Sequence, residues 1–316
     1  MFAGLIVADF EAYAPKKWKS NVFNRERLEV KQRLLVLGKA LQPGLLSADG
    51  SPLALDASGE HPALWNHRQV EAQHLFLSRN EGARRELDAI LDKQKTLASL
   101  IDDPTPQRNH VFLAITLTHQ ALEVAVKLHP DARIDRQNLE RKCEDHFERE
   151  KLLALIAAMP DGFQIGTTGS ASTATAQIDV ERLRAVLAEL GRNATLGATM
   201  APPLLTISLA VPREEALRLG PELTPLVQQH LVHLGAIYQF IAWSRDNDFL
   251  AMRETLQKEK QVKRQKGLAK NDTVRVVRGM FAGKSGVVQE VDAKGGAKVL
   301  LGTMAVKLDA EDLAKA

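Results

Sequence analysis

The chain has 316 residues, 45% of them hydrophobic and 26% charged, with a formal net charge of +3 and one cysteine, Cys143. That length supports two or three domains with a sizeable core, and the composition is that of an ordinary globular protein. No run of about 18 apolar residues is present, which excludes a helical membrane span, and one cysteine excludes an internal disulfide and a cysteine-based zinc site.

Met1 to Phe10 lack the basic segment and apolar run of a secretory signal. With the single cysteine, this fits a reducing compartment, and the expected location is cytoplasmic. The aromatic stretch Asp9–Asn24 precedes Arg25–Leu41, where Leu28, Leu34, Leu35, Leu37 and Leu41 predict an amphipathic helix that Pro43-Gly44 ends. Ser47–Pro62 reads as loops around a short strand at Leu53–Leu55, and Val70–Leu77 as a strand. Asn80 is placed to cap a helix from Glu81 to about Leu100. Val111–Leu117 is apolar and β-branched, which predicts a buried strand. Helices are expected over His119–Leu128, Asp135–Phe147 and Glu148–Met159.

Gly162–Thr175, rich in Gly, Ser and Thr, reads as a flexible surface loop or a hairpin. A helix over Asp179–Leu190 with Asp179 placed to cap it, a strand over Leu204–Val211, and helices over Arg213–Leu219 and Pro221–Trp243 follow. From Ser244 to Lys266 the pattern stays helical while losing its apolar face, as in a solvated connector. Gln257–Lys270 alone carries six basic residues against Glu259, a local charge of +5, whereas Asn271–Ala316 is +1 and the rest of the chain −3. A mildly acidic body is thus joined by a basic segment to a near-neutral tail, and this asymmetry points to a polyanionic partner.

In the tail, Val274 and Val276, then Val287, Val288 and Val291, then Val299 to Leu301, then Val306 and Leu308 form short apolar runs between glycine turns. Short strands of even spacing with Gly turns predict a small barrel. Asn271 to Asp292 combines an acidic turn, a β-branched strand, the loop Gly279-Met280-Phe281-Ala282-Gly283, then Gly286-Val287-Val288 and a Val291-Asp292 ending. This segment resembles the KOW motif of the NusG class of transcription elongation factors and of several ribosomal proteins. The resemblance implies an SH3-type barrel and attachment to RNA, the ribosome or RNA polymerase, without selecting among them. Gly279 and Gly283 permit a tight turn and Gly286 a close backbone approach. Arg275, Arg278 and Lys284 lie on or beside the loop, with Phe281 at its tip. Phe281 has two readings, a ring that stacks on a base or packs in a protein groove, and a cap on the barrel core. The connector, with Lys263, Arg264 and Lys266, is either a solvated helix face or a non-specific phosphate contact.

Earlier in the chain, Pro203 to Ser208, Pro212 to Ala216 and Leu234 to Tyr238, with Asp9-Phe10, Leu37-Gly38, Leu41, Pro43 and Leu45 at the front, look like the uncharacterised YktB-like family. This resemblance runs over residues 5–243 with insertions, and implies an α+β fold with no catalytic residue.

Histidine sites are weakly drawn. His61 and His67 are six apart and His67 and His74 seven apart, so neither pair has the i,i+4 spacing of a helical metal site, although loop histidines can converge in space. His230 and His233 read as partly buried helix residues. Cys143 has no base beside it. The Gly166–Ser172 loop lacks the Gly-Lys-Ser/Thr ending of a phosphate loop. At Trp243–Asp248, Asn247 or Asp248 either caps the connector helix or forms a hinge.

The expected fold is α+β, an antiparallel sheet with packed helices followed by a small C-terminal SH3-like β-barrel. The domains are expected at 1–243, 244–270 for the basic helical connector, and 271–316. The expected function is non-enzymatic binding to RNA, the ribosome or a transcription complex, through Lys263, Arg264, Lys266, Arg275, Arg278, Phe281 and Lys284. No cofactor, catalytic residue, metal or membrane is expected to take part. The alternatives are a nucleic-acid-directed hydrolase or nuclease with a histidine site in the body, and a protein-interaction scaffold.

Overall fold

A computed structural model describes residues 2–63, 66, 68–91, 109–168, 170–195, 204–251, 269–291, 296–309 and 312–315. The chain divides into two units, Met1–Leu250 and Ala251–Ala316.

The first unit is built on a seven-stranded antiparallel sheet. Its strands are β1 (Ala54–Ala57), β2 (Ala72–Ser78), β3 (Phe112–Thr118), β4 (Ala121–Leu128), β5 (Gln164–Thr167), β6 (Thr173–Ala174) and β7 (Leu205–Pro212), in the order β1-β2-β3-β4-β7-β5-β6. Leu75, Ile115 and Val124 stand side by side on one face, set by the registers Leu75↔Ile115 and Ile115↔Val124.

The helices are α1 (Val7–Glu11), α2 (Asn24–Leu41), α3 (Glu81–Leu91), α4 (Arg133–Glu144), α5 (His146–Ala157), α6 (Val180–Thr195), α7 (Arg213–Leu219) and α8 (Leu223–Ile241). Val30, Leu34, Leu37 and Leu41 of α2 recur at helical spacing and are buried, as are Val227, Leu231, Leu234 and Ile237 of α8. Fully burying such a side chain stabilises by about 1.5–3 kcal/mol. Gly38 lets α2 approach the sheet, since a Cβ there would meet Leu55 and Leu75 side chains at 2.9–3.0 Å. Three helix starts carry side-chain caps, at Asn80 and Asp179 as expected and also at Asp145, through which the expected helix ran on to Phe147. Asn80 accepts from the Ala83 amide (3.0 Å), Asp145 from that of Glu148 (3.0 Å) and Asp179 from that of Arg182 (2.8 Å).

His119–Leu128, expected as a helix, is instead turn and strand. Thr118 Oγ1 accepts from the Gln120 and Ala121 amides and closes a tight turn, and the chain returns as β4 against β3. Glu123 and Lys127 are four apart, which puts them on one face of a helix or of a strand. Pairing with β3 decides between them, and it buries Leu122, Val124 and Val126 at period two. Gly162–Thr175 takes the hairpin form, and its strand β5 pairs with both β6 and β7.

The helix expected from Ser244 does not form over the described part. Residues 244–250 are turns bonded back into the first unit. Asn247 Nδ2 donates to the Phe240 carbonyl (3.1 Å) and to that of Ala242 (2.8 Å), and so caps the end of α8 rather than starting a new helix. Asp248 accepts from the Leu250 amide and from the Trp243 indole (3.0 Å). Lys142 Nζ donates to Asn247 Oδ1 at 2.7 Å and lies over the Phe240 ring. This strap is also held by a buried ion pair. Arg79 donates from Nη2 to Asp135 Oδ1 (2.6 Å) and the Trp243 carbonyl (2.8 Å), and from Nη1 to Asp135 Oδ2 (2.7 Å). Asp135 in turn accepts from the Val111 and Trp243 amides, each at 2.8 Å. Burial pushes the Asp135 carboxyl up, but the charge and hydrogen bonds of Arg79 outweigh it and hold the carboxyl below its ordinary value.

The second unit is a five-stranded antiparallel sheet of β8 (Thr273–Val276), β9 (Ser285–Val291), β10 (Gly296–Leu301), β11 (Met304–Asp309) and β12 (Leu313–Lys315), in the order β11-β10-β9-β8-β12. It is a small SH3-like fold. Val274, Val276, Val288, Ala297, Val299, Leu301 and Leu313 form its core. Gly286 is required there, since a Cβ would lie 2.4 Å from the Leu300 carbonyl oxygen.

Candidate nucleic-acid interface

The loop 277–284 joins β8 to β9. Gly283 donates to the Val276 carbonyl (2.7 Å) and Val276 to that of Lys284 (2.8 Å), which pinches the loop at its base. Ala282 bonds to Gly279 and Lys284 to Phe281, both at 3.1 Å, so the tip is two successive turns. Gly279 (φ +85°) and Gly283 (φ +89°) supply the left-handed backbone that these turns need.

This scaffold sets where each cation points. Arg275 lies between buried Val274 and Val276 and faces solvent. Arg278 and Lys284 are exposed on the loop. Among the described residues none of the three forms an ion pair, in contrast to Lys315, which pairs with Asp272 at 2.9 Å. Phe281 is half-buried and packs on the barrel core, with Lys284 Nζ 5.9 Å from its ring centroid. The side chain at the tip is Met280, 93% exposed, with Val277 beside it at 49%. Of the two readings of Phe281 the structure takes the cap on the barrel core, and sequence reasoning singled out neither Met280 nor Val277. Alternation along β8, with Val274 and Val276 inward, already turns Val277 outward; nothing in the sequence singles out Met280 over Phe281. Lys263, Arg264 and Lys266 lie outside the described residues.

The histidines do not assemble into a site that the structure describes. His61 is exposed on a loop, and His67 lies outside the described residues. His74, half-buried on β2, has Nδ1 3.0 Å from Thr116 Oγ1, and burial, aided by the charge of Lys127, pushes its imidazole down to about 3. His230 is buried edge-on against Phe163. Among the described residues no group of three or more His, Cys, Asp or Glu is placed to hold a metal ion. Burial pushes the Cys143 thiol up to about 11, the opposite of an activated nucleophile. No described helix is long and apolar enough to cross a membrane.

The family model described as KOW motif matches residues 270–301, from Lys270 through the loop to the last residue of β10. The second unit carries a KOW motif. KOW motifs occur in RNA-binding proteins and in proteins associated with the ribosome or with transcription. The match to the KOW module covers none of the first unit, and no curated protein matches the chain.

Proposed function

We propose that the protein is a non-enzymatic factor that attaches to RNA or to an RNA-containing complex, the ribosome or a transcribing RNA polymerase, through the KOW loop and the basic segment before it. The observation that carries this reading is a glycine-fixed loop that bears Arg278 and Lys284, with Arg275 on the adjoining strand β8, all three exposed and without an ion pair among the described residues. Cations held without carboxylate partners neutralise phosphates without first breaking an ion pair, and they release counterions on binding. The basic segment with Lys263, Arg264 and Lys266 adds sequence-blind phosphate contact, and the first unit adds a second contact or blocks a site.

The test is co-sedimentation of the full chain with RNA-containing complexes at moderate salt. Charge reversal of Arg275, Arg278 and Lys284, or of Lys263, Arg264 and Lys266, should abolish it. Unchanged sedimentation in both variants overturns the proposal. The exposed Met280 and Val277 favour a second reading, in which the tip fits a protein groove. Association that withstands both nuclease and salt would select it.

A further inference from the structure

Residues 15–27 hold five basic residues against Glu26, a local charge of +4, although the chain before residue 257 sums to −3. This positive island consists of two short 3-10 turns, Pro15–Lys17 and Asn21–Phe23, that lead into α2. Arg27 of α2 organises them. Its side chain is fully buried and donates to the carbonyls of Lys17 (2.6 Å), Ser20 (3.2 Å) and Glu60 (3.3 Å) and to Asn24 Oδ1 (3.2 Å). The carbonyls of the turns are thus drawn inward, and Lys16 and Lys19 stand exposed. The Val70 amide donates to the Trp18 carbonyl (3.0 Å), which brings the segment 68–70 beside the turns and adds Arg68 to the island. Arg68 is exposed and lies in the left-handed region, at φ 57°, held there by the bond of its amide to the Ala63 carbonyl (2.8 Å). Backbone strain of this kind gathers at binding sites, where the direction of a side chain matters.

The charges and the apolar groups decide what fits. Lys17 is neutralised by Glu26 (2.5 Å) and Arg25 meets Glu29 (3.3 Å), whereas Lys16, Lys19 and Arg68 form no ion pair among the described residues. Arg27 adds a charge beneath them. All its acceptors are neutral oxygens, and its Nε has none. A cation buried without a carboxylate is costly, and an anion over it offsets that cost. Between the cations lies apolar surface: Val22 is 83% exposed, and the Trp18 and Phe23 rings are half-buried. A free phosphate would use the cations alone. A strand of nucleic acid uses the cations for its backbone and the rings for its bases.

We propose that this face of the first unit is a second RNA-binding surface, on which Lys16, Lys19 and Arg68 meet backbone phosphates and Trp18 and Phe23 border the bases. It rests on the RNA reading of the KOW loop and locates the second contact which that reading gives to the first unit. The contact is sequence-blind and weakens with salt.

The test is fluorescence anisotropy of a labelled single-stranded oligouridylate titrated with the full chain over a series of salt concentrations. The wild type is compared with Lys16→Gln/Lys19→Gln/Arg68→Gln and with Arg275→Gln/Arg278→Gln/Lys284→Gln. The first-unit variant should bind roughly tenfold or more weakly at physiological salt, with the slope of log K against log salt reduced by about 2, or about 0.7 for each of three phosphates. Its thermal transition should match that of the wild type, since all three side chains are exposed. The charge-preserving exchange Lys16→Arg/Lys19→Arg/Arg68→Lys should keep the wild-type slope. Wild-type affinity and slope in the first-unit variant overturn the inference, and a weakened loop variant beside it leaves the KOW reading standing alone. Weakening of the first-unit variant beside a silent loop variant supports this surface and removes the loop. No binding by the wild type overturns the inference, as does tighter binding to phosphatidylserine vesicles than to the RNA.

Discussion

The first unit spreads a large core over a seven-stranded sheet with α2 and α8 packed on it, and fastens its far end with a buried arginine–aspartate pair. The KOW module has a five-stranded sheet around a core of seven buried hydrophobic residues among those described. In the first, order far along the chain depends on a few polar contacts between residues 56 to 164 positions apart. In the second, so small a core makes backbone sterics at one glycine decisive. The larger unit should therefore fail through unpaired charge, the smaller through lack of space.

The largest expected effect is in the first unit. Asp135→Ala leaves the Arg79 guanidinium buried without its partner and should cost about 3–5 kcal/mol. Urea denaturation should show the transition of the first unit moving and that of the KOW module unchanged, and a common shift would break the distinction between the units. The same pair sets an acid limit. Asp135 is held below its ordinary value of 3.8, so its stabilisation is present above that pH and lost as pH falls through the depressed value.

Next comes Gly286→Ala. Both the strand and the Leu300 carbonyl belong to the backbone ladder, so neither gives way easily, and overpacking of this kind costs about 1–3 kcal/mol. That is a large share of what a core of this size supplies. Calorimetry should show the module's transition lowered or lost while that of the first unit stays. Equal loss of both would contradict the comparison.

At neutral pH a smaller effect is expected at His74, whose folded value is pushed down to about 3 from an ordinary 6.5. The unfolded chain takes up the proton first, so this stabilisation is complete above 6.5 and is lost as pH falls from there towards 3. His74→Gln should flatten the stability of the first unit across that window, and an unchanged slope would remove the histidine from the account. The smallest effect is Met280→Ala. Stability should change by less than about 0.5 kcal/mol, since the side chain touches no core. Any lost association would then report a contact with the partner.

Much of the fold was legible because it follows from local period and punctuation. The leucine spacing of α2, the caps at Asn80 and Asp179, the apolar run of β3 and the glycine-spaced valines of the KOW module each state their own structure. What was misread lay where one pattern serves two structures. Glu123 and Lys127 satisfy the helix and the strand equally, and only pairing with β3 chose between them. Asn247 is as good a cap for the helix behind it as for one ahead, and the free carbonyls at the end of α8 decided the direction. At the KOW loop the cations were readable, and of the two readings left open for Phe281 the structure takes the one that packs its ring on the barrel core.

By itself, then, the sequence determined the elements built from neighbours in the chain, the α+β class and the glycine-fixed KOW loop, because backbone sterics and side-chain period act over a few residues. Tertiary structure alone decided that β4 is a strand, that residues 244–250 belong to the first unit, and that Arg79, Asp135 and Trp243 meet. Those outcomes turn on which distant groups come into register, and burial sets their energy only once they are in contact.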